Sequence, residues 1–257
     1  MIPKVSIIIA TLNAKETLDK ALESVVTQSY QDWECIIIDG CSQDGTMDII
    51  LKYAASDSRI RYVSEPDNGI YDAFNKGLRM AKGEWIYYLG SDDRLTSDGI
   101  SELVAGGHNG VEVISGNCYI ERIDGTIKHY ISQGFIGCHQ CKLVRRSTLN
   151  RFCGFNLKYR ISADRDLMVR MEKVGVKIAY VDTFVAYFSM KGMSQNIGGL
   201  IRRSKERYWI ARANDMDNAF VDSFMYAIRD FLSISYRRIR SKLSRLLVNK
   251  QSLMDKK

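Results

Sequence analysis

Two acids stand side by side where an aromatic run stops: YYLGSDDRL, residues 87–95, places Asp92 and Asp93 directly after a strand-like stretch and a glycine. Burying a carboxylate pair beside a strand is costly unless a cation or hydrogen-bond donors meet it. Two adjacent carboxylates at a strand end make a hard oxygen site, suited to Mg2+ or Mn2+ held partly by substrate phosphates. Such a cation neutralises a diphosphate and so improves it as a leaving group. A further carboxylate could act as general base toward a hydroxyl. Asp164 in SADRDL (162–167) opens a helical pattern, where a carboxylate stays ionised. The same place also suits a simple helix cap. Asp166 is a rival base, but its position ahead of LMVR fits the helix surface or a partner for Arg165 or Arg170. Asp39, at the end of WECIIID, could accept hydrogen bonds from a base or ribose.

Other chemistries lack their residues. There is no GxxxxGK[ST] phosphate loop, no GxGxxG after the first strand pattern and no GxSxG, which disfavours P-loop, dinucleotide and nucleophile-elbow enzymes. The three histidines, at 108, 129 and 139, have no metal-motif spacing. Six cysteines lie at 35, 41, 118, 138, 141 and 153. Cys138 and Cys141 make a single CxxC, whereas a structural zinc site usually takes a second pair. Cys153 and a histidine could complete one, but the simpler expectation is small, partly buried thiols.

The elements that must hold these acids can be read from periodicity. KVSIIIA (4–10), WECIIID (33–39), IRYVS (60–64) and EWIYYL (84–89) are short β-rich runs, nearly unbroken in hydrophobicity, as strands covered on both faces are. Between them, residues 14–28, 44–56 and 70–83 repeat apolar positions at helical spacing, the last closing on Gly83 as an expected helix stop. This alternation predicts βαβ units in a mostly parallel, doubly wound α/β sheet. Ligands of such sheets bind outside the carboxyl ends of the strands, and there stand TLN (11–13), Asp39, EPDNG (65–69) and GSDD (90–93). Beyond residue 96 the expectation is a smaller, mixed antiparallel region. Residues 111–131 predict a hairpin turning at Asp124-Gly125, CKLVRRSTL a strand followed by a turn, ADRDLMVRMEKVG a short helix and VKIAYVDTFVAYFSM a β stretch.

The ordered series VSIIIATLN, Asp39, EPDNGIYDAFNKG, LGSDD, HQ and ADRDL resembles the family-2 inverting nucleotide-sugar glycosyltransferases of the GT-A fold, the bacterial polysaccharide and O-antigen type, over roughly residues 3 to 195. The resemblance implies that Ala10, Thr11 and Asn13 line the nucleoside and that Asp39 contacts the base. Asp67 falls where the family has further donor contacts. It implies Asp92 beside the ribose, Asp93 on the divalent cation, Asp164 as the base, and His139 with Gln140 on the acceptor side. GMS (192–194) resembles a late loop near the diphosphate. Two positions depart from the pattern: Gly90 stands where the family often has an acid, and Ala163 where a Glu usually precedes the base. The implied donor is a nucleoside-diphosphate sugar, UDP-linked by default, and the acceptor a saccharide or lipid-linked saccharide.

The chain has 257 residues and a formal net charge of +7, enough length for one large core. Residues 1–199 are expected to form the catalytic domain, with 1–95 as its nucleotide-sugar half and 96–199 as its acceptor half. Residues 200–257 hold 14 Lys and Arg against 6 Asp and Glu, while 1–199 hold 23 against 24, so the basic excess belongs to the tail. Its apolar positions, Phe220, Phe224, Ile228, Phe231, Leu232, Ile239, Leu243 and Leu246, follow a helical stripe. Such a helix can lie on an anionic membrane surface or pack on the catalytic domain. The apolar runs fall short of the roughly 20 residues of a membrane span, and VSIIIA has the wrong flanks for a signal peptide. The expected place is therefore the cytoplasm, with a peripheral contact on the cytoplasmic face of the membrane. Nucleic acid is not an expected partner, because the sheet region lacks a basic patch with interleaved aromatics. Two rival functions are a catalytically impaired nucleotide-sugar-binding relative and a nucleotidyltransferase. The latter usually has a Gly-rich basic loop after the first strand, of which TLNAKET shows little.

Overall fold

The computed structural model describes residues 4–108, 110–190, 197–216 and 228. The chain divides into two compact units, Met1–Gly192 and Met193–Lys257. In the first, the four early runs form strands β1 (Val5–Thr11), β2 (Trp33–Asp39), β3 (Ile60–Ser64) and β4 (Trp85–Gly90). Helices α1 (Leu18–Val26), α2 (Thr46–Ser56) and α3 (Ile70–Met80) make the crossovers. Every residue of β1, β2 and β4 is buried, whereas in β3 at the sheet edge only Ile60 is buried and the following residues alternate between half-buried and exposed. That difference is why the first, second and fourth runs read as solid hydrophobic blocks.

β1 lies between β2 and β4, parallel to both, and β3 runs parallel to the far side of β2. The register pairs Ala10 with Gly90, Thr11 with Asp39, and Asp39 with Ser64. The predicted polar positions therefore end at one level of the sheet. Ile7, Ile9, Leu22, Val25, Trp33 and Ile37 belong to the main buried cluster with Tyr87 and Leu89. An aromatic group of Tyr71, Phe74, Tyr88 and Phe155 forms a second packing centre, with ring centroids 4.8–6.5 Å apart.

After β4 come β5 (Arg94–Leu95), α4 (Gly99–Ala105), β6 (Val113–Glu121), β7 (Ile127–Tyr130), a 3-10 turn (His139–Cys141), β8 (Lys142–Arg145), α5 (Arg146–Arg151), α6 (Ala163–Lys173) and β9 (Ile178–Ser189). They extend the same sheet in the order β3-β2-β1-β4-β8-β6-β9-β5, with β7 also on β6. β8 is antiparallel to both β4 and β6. The hairpin of β6 and β7 turns at Asp124-Gly125, where Gly125 has φ +79°. β9 pairs parallel to β6 with shifts of register near Asn117, so this region mixes both senses of pairing. The turn expected after β8 is instead α5. Its buried Leu149 anchors it, and Thr148 and Arg151 both donate to Glu112 at 2.8 Å.

Gly83 does not stop α3 as a left-handed cap. The helix ends at Met80, and Gly83 faces β1, where an added Cβ would meet the Ser6 backbone N at 2.5 Å. The second unit contains α7 (Ile197–Ala213). The apolar stripe from Phe220 onward falls, apart from Ile228, outside the described residues. Among the described residues no helix is long and apolar enough to cross a membrane.

Candidate active site

The carboxyl edge of the parallel strands carries the nucleotide-side residues of the sequence analysis. Asp39 ends β2 fully buried, and its carboxylate accepts from the Ser42 amide at 3.0 Å, the Ser42 hydroxyl and the Ser64 hydroxyl at 2.6 Å. Its first task is thus to shape the loop after β2, with little lone-pair capacity left for a ligand. Asn13, at φ +49°, joins the same loop: its amide donates to Ser42 and its side-chain oxygen accepts from the Gln43 amide at 2.9 Å. Ala10 and Thr11 are buried, and the Thr11 hydroxyl has no hydrogen-bond partner among the described residues. Asp67 caps the Gly69 amide at 2.7 Å and lies over Gly40, where a Cβ would sit 2.7 Å from its Oδ2. Lys76 pairs with Glu65 at 2.8 Å and donates to the Pro66 carbonyl at 2.6 Å, which holds its ammonium to the loop after β3.

Asp92 and Asp93 follow β4 in a tight turn closed by the Asp93 amide on the Gly90 carbonyl at 3.1 Å. Gly90 is the floor of this turn. A Cβ there would stand 2.6 Å from Asp93 Oδ2 and 3.1 Å from Asp92 Oδ1. The two carboxylates occupy the space a third acid would need, which accounts physically for the glycine. Asp93 is only 3% exposed, and it accepts from the Ser189 amide at 2.8 Å and Gln140 Nε2 at 3.2 Å. Burial, then the charge of Asp92, pushes its pKa up to about 7, against these donors and His139. Burial also raises Asp92. Two hard carboxylates with uncompensated charge match the donor set of Mg2+ or Mn2+, so these residues fit the cation that the resemblance implies.

On the other side of the site, Asp164 occupies the first turn of α6. Ser162 holds the N-cap position, so Asp164 is not the cap. Its Oδ1 lies 3.0 Å from the Tyr71 hydroxyl, whose proton is shared with the Ile161 carbonyl at 2.9 Å. Its Oδ2 faces His139 Nδ1 at 3.3 Å. Burial works to raise this carboxyl, but the His139 hydrogen bond and charge, the Arg165 amide and Tyr71 outweigh it and hold the pKa below the usual carboxylate value. Asp164 is therefore ionised at neutral pH. Asp166 is not on the helix surface: it is 3% exposed and bound by Arg170 Nε at 2.8 Å, while Arg170 also donates to the carbonyls of Phe152 and Gly154. It is locked into the packing of α6 and unavailable as a base.

One 3-10 turn links the two acids. His139 meets Asp164, and its neighbour Gln140 meets Asp93. The turn is tied to β4 by the Tyr87 hydroxyl, which donates to the Gln140 carbonyl. Ala163 is fully buried, so the position of the family's usual Glu faces packed structure. Tyr71 and the Ser189 amide are site members absent from the sequence reading. Tyr71 lies in the quoted IYDAFNKG, where helical periodicity masked it, and a backbone amide leaves no signal in residue types. Residues 192–194 lie outside the described residues. The sequence expectation for the cysteines is small, partly buried thiols, and Cys153 is in fact exposed and not part of a cysteine cluster. Cys118 of β6 instead joins Cys138 and Cys141, with all three sulfurs within 4.8 Å of one another.

The family model described as glycosyl transferase family 2 matches residues 6–168. A PGL/p-HBAD biosynthesis glycosyltransferase of Mycobacterium bovis is 32% identical over 207 residues, covering 76% of this chain and 80% of that protein. The GalNAc(5)-diNAcBac-PP-undecaprenol beta-1,3-glucosyltransferase of Campylobacter jejuni is 33% identical over 51% of this chain and 43% of its own length. In structure, the mannosyltransferase PcManGT of Pyrobaculum calidifontis, solved with GDP-Man and Mn2+, superposes with a TM-score of 0.69 over 98% of this chain and 81% of that one at 17% identity. S. aureus TarS 1-349, solved with UDP-GlcNAc, gives 0.68 over 89% and 71%, also at 17%. At that identity the likeness concerns the fold, and both superpositions support the GT-A arrangement.

Proposed function

Because the chain belongs to glycosyltransferase family 2, we propose that it moves a sugar, with inversion, from a nucleoside-diphosphate sugar to a hydroxyl of a saccharide or lipid-linked saccharide in bacterial surface-glycan synthesis. The observation that carries this reading is the short turn that joins an uncompensated acid pair to an ionised carboxylate. The acceptor oxygen attacks the anomeric carbon as its proton passes to Asp164 Oδ1 or Oδ2. The bond from that carbon to the diphosphate oxygen breaks, and the electron pair leaves with the nucleoside diphosphate. One base suffices because no covalent sugar-enzyme species forms. Tyr71 and His139 hold the Asp164 carboxylate in place and keep it ionised. Gln140 and the Ser189 amide orient Asp93, which would bind the divalent cation, with Asp92 toward the ribose. A bound Mn2+ or Mg2+ supplies charge stabilisation for the departing diphosphate.

UDP is the carrier we propose, supported by the TarS likeness, and the GDP-Man complex of PcManGT sets the competing arm of the test. The lipid-linked acceptor is supported by the undecaprenol-linked substrate in the name of the Campylobacter relative. The decisive experiment measures release of UDP or GDP from a panel of sugar donors, with Mn2+ and with chelator. Asp164→Asn should fold and bind donor normally while losing a factor of about 10²–10⁴ in turnover. Full turnover in that variant would remove Asp164 as the base, and donor binding without turnover in the native protein would favour an impaired relative. The basic excess of residues 200–257 supports peripheral binding to an anionic leaflet on the cytoplasmic face. Salt-sensitive cosedimentation of the full chain with anionic, but not neutral, vesicles would test it.

A further inference from the structure

We propose that Cys118, Cys138 and Cys141 form a binding site for one thiophilic d10 cation, zinc(II) by preference, beneath the turn that carries His139 and Gln140. The three sulfurs come from two separate elements, β6 and the segment around the 3-10 turn, and converge within 4.8 Å of one another. In a zinc trithiolate with Zn–S near ~2.3 Å, sulfurs stand roughly 3.8–4.0 Å apart, so less than ~1 Å of contraction closes the site. Cys118 and Cys141 are buried and Cys138 is partly so, while Cys41 and Cys153 are exposed and do not belong to the cluster.

The second observation is Lys142. It is only 3% exposed, its ammonium donates to Ser115 Oγ at 2.9 Å, and no carboxylate lies within 4 Å of it among the described residues. Ser115 Oγ in turn lies 3.9 Å from Cys141 Sγ. A buried ammonium without a counter-ion is costly. Three thiolates and Zn2+ carry a net charge of −1, which one ammonium neutralises. Hydrogen bonds from Cys118 and Cys138, with the Lys142 charge also contributing, hold the Cys141 thiol well below its ordinary value against burial, while Cys138 is pushed well above it. The balance for a cluster with one thiolate is uptake of Zn2+ and release of two protons to solvent, with no change of oxidation state. Thiolate ligands select zinc over Mg2+ and Mn2+, and the carboxylates of Asp92 and Asp93 make the opposite choice. This site is thus distinct from the donor cation site in chemistry, although the same turn borders both.

The test uses the full chain, purified reduced and free of chelator, with cobalt(II) and zinc(II) as probes. One equivalent of cobalt should produce a near-ultraviolet thiolate-to-cobalt charge-transfer band, which one equivalent of zinc abolishes. Zinc should protect Cys118, Cys138 and Cys141 from alkylation by at least about tenfold in rate, read peptide by peptide, and leave Cys41 and Cys153 reactive. Cys118→Ser should lose the band, whereas Cys153→Ser should keep it. The native-protein spectrum and protection map stand even if the Cys118 variant fails to fold. The inference is overturned by the absence of the band in fully reduced protein, by its survival in folded Cys118→Ser, or by protection that includes Cys153 instead of Cys118.

Discussion

Replacing Asp93 by Asn should make the metal-free protein more stable while abolishing the proposed cation-dependent transfer. The carboxyl of Asp93 has an ordinary value of 3.8 and is pushed up to about 7 by burial and by Asp92. At about 1.4 kcal/mol per pH unit, that displacement corresponds to roughly 4 kcal/mol against the ionised form. Between pH 4 and 7 the folded state binds more protons at this site than the unfolded chain does. Stability therefore falls as pH rises through that window, and the whole penalty is in force above pH 7. Asn is nearly isosteric, its oxygen can accept from the Ser189 amide, and Gln140 can turn its own amide to accept from the new NH2 group. The variant should regain most of the penalty, about 2–4 kcal/mol, which for a unit of this size is roughly 5–10 °C in Tm. The assay is a thermal unfolding series on native protein and variant at pH 5 and pH 8, in chelator and in Mn2+. The variant should gain clearly at pH 8 in chelator and less than half as much at pH 5, about 1.2 of the roughly 3.2 pH units of penalty being in force there, while Mn2+ should raise only the native protein. A variant less stable than the native protein at pH 8 in chelator, or a gain independent of pH, would refute the placement of an uncompensated buried charge at residue 93.

Three further outcomes follow from the same geometry. Gly90→Ala puts a Cβ 2.6 Å from Asp93 Oδ2; the displaced carboxylate should lose its Gln140 bond and lower Mn2+ affinity about tenfold or more, as one charge-assisted bond is worth about 1.5–3 kcal/mol, measured by calorimetric titration. His139→Ala removes the group that most strongly opposes the burial of Asp164, so the acidic limb of the kcat/KM profile should move to higher pH; an unmoved limb would show that His139 does not set the charge of the proposed base. Arg170→Met leaves Asp166 buried without its partner and should cost about 3 kcal/mol at pH 8. The loss should be smaller at pH 5 than at pH 8, because burial, which already raises Asp166, favours its protonated form once Arg170 is gone, and denaturant titration at the two pH values measures this.

The parallel half was legible because burial on both faces writes itself into composition. β1, β2 and β4 have no solvent side to interrupt their hydrophobic runs, and topology then fixes which residues end at the edge. Asp93 and Asp164 were legible as acids at element ends. The pairing that makes them one site was not, because His139 and Gln140 reach them through contacts between residues 25 and 47 positions apart. Tyr71 was hidden by its helix, and Cys118 by lying 20 residues before a pair whose short spacing draws the eye. Gly83 misled because a glycine after a helix resembles a left-handed stop, whereas here its missing Cβ admits the backbone of β1. The mixed pairing of β9 with β6 depends on register shifts that alternation of residue types does not encode.

β4 is hydrogen-bonded to β1 on one side and to β8 on the other. The early parallel strands and the later strands are therefore parts of one continuous layer, with the acid pair at the end of β4 between them. A two-lobed enzyme of hinge type opens by swinging one body off the other, and here no seam runs through the ladder to permit it. Substrate entry and product departure then need no parting of this layer. The turn that bonds Asp164 through His139 and Asp93 through Gln140 ties the helix carrying Asp164 to that layer, so the distance from Asp93 to Asp164 should stay nearly constant when a donor binds.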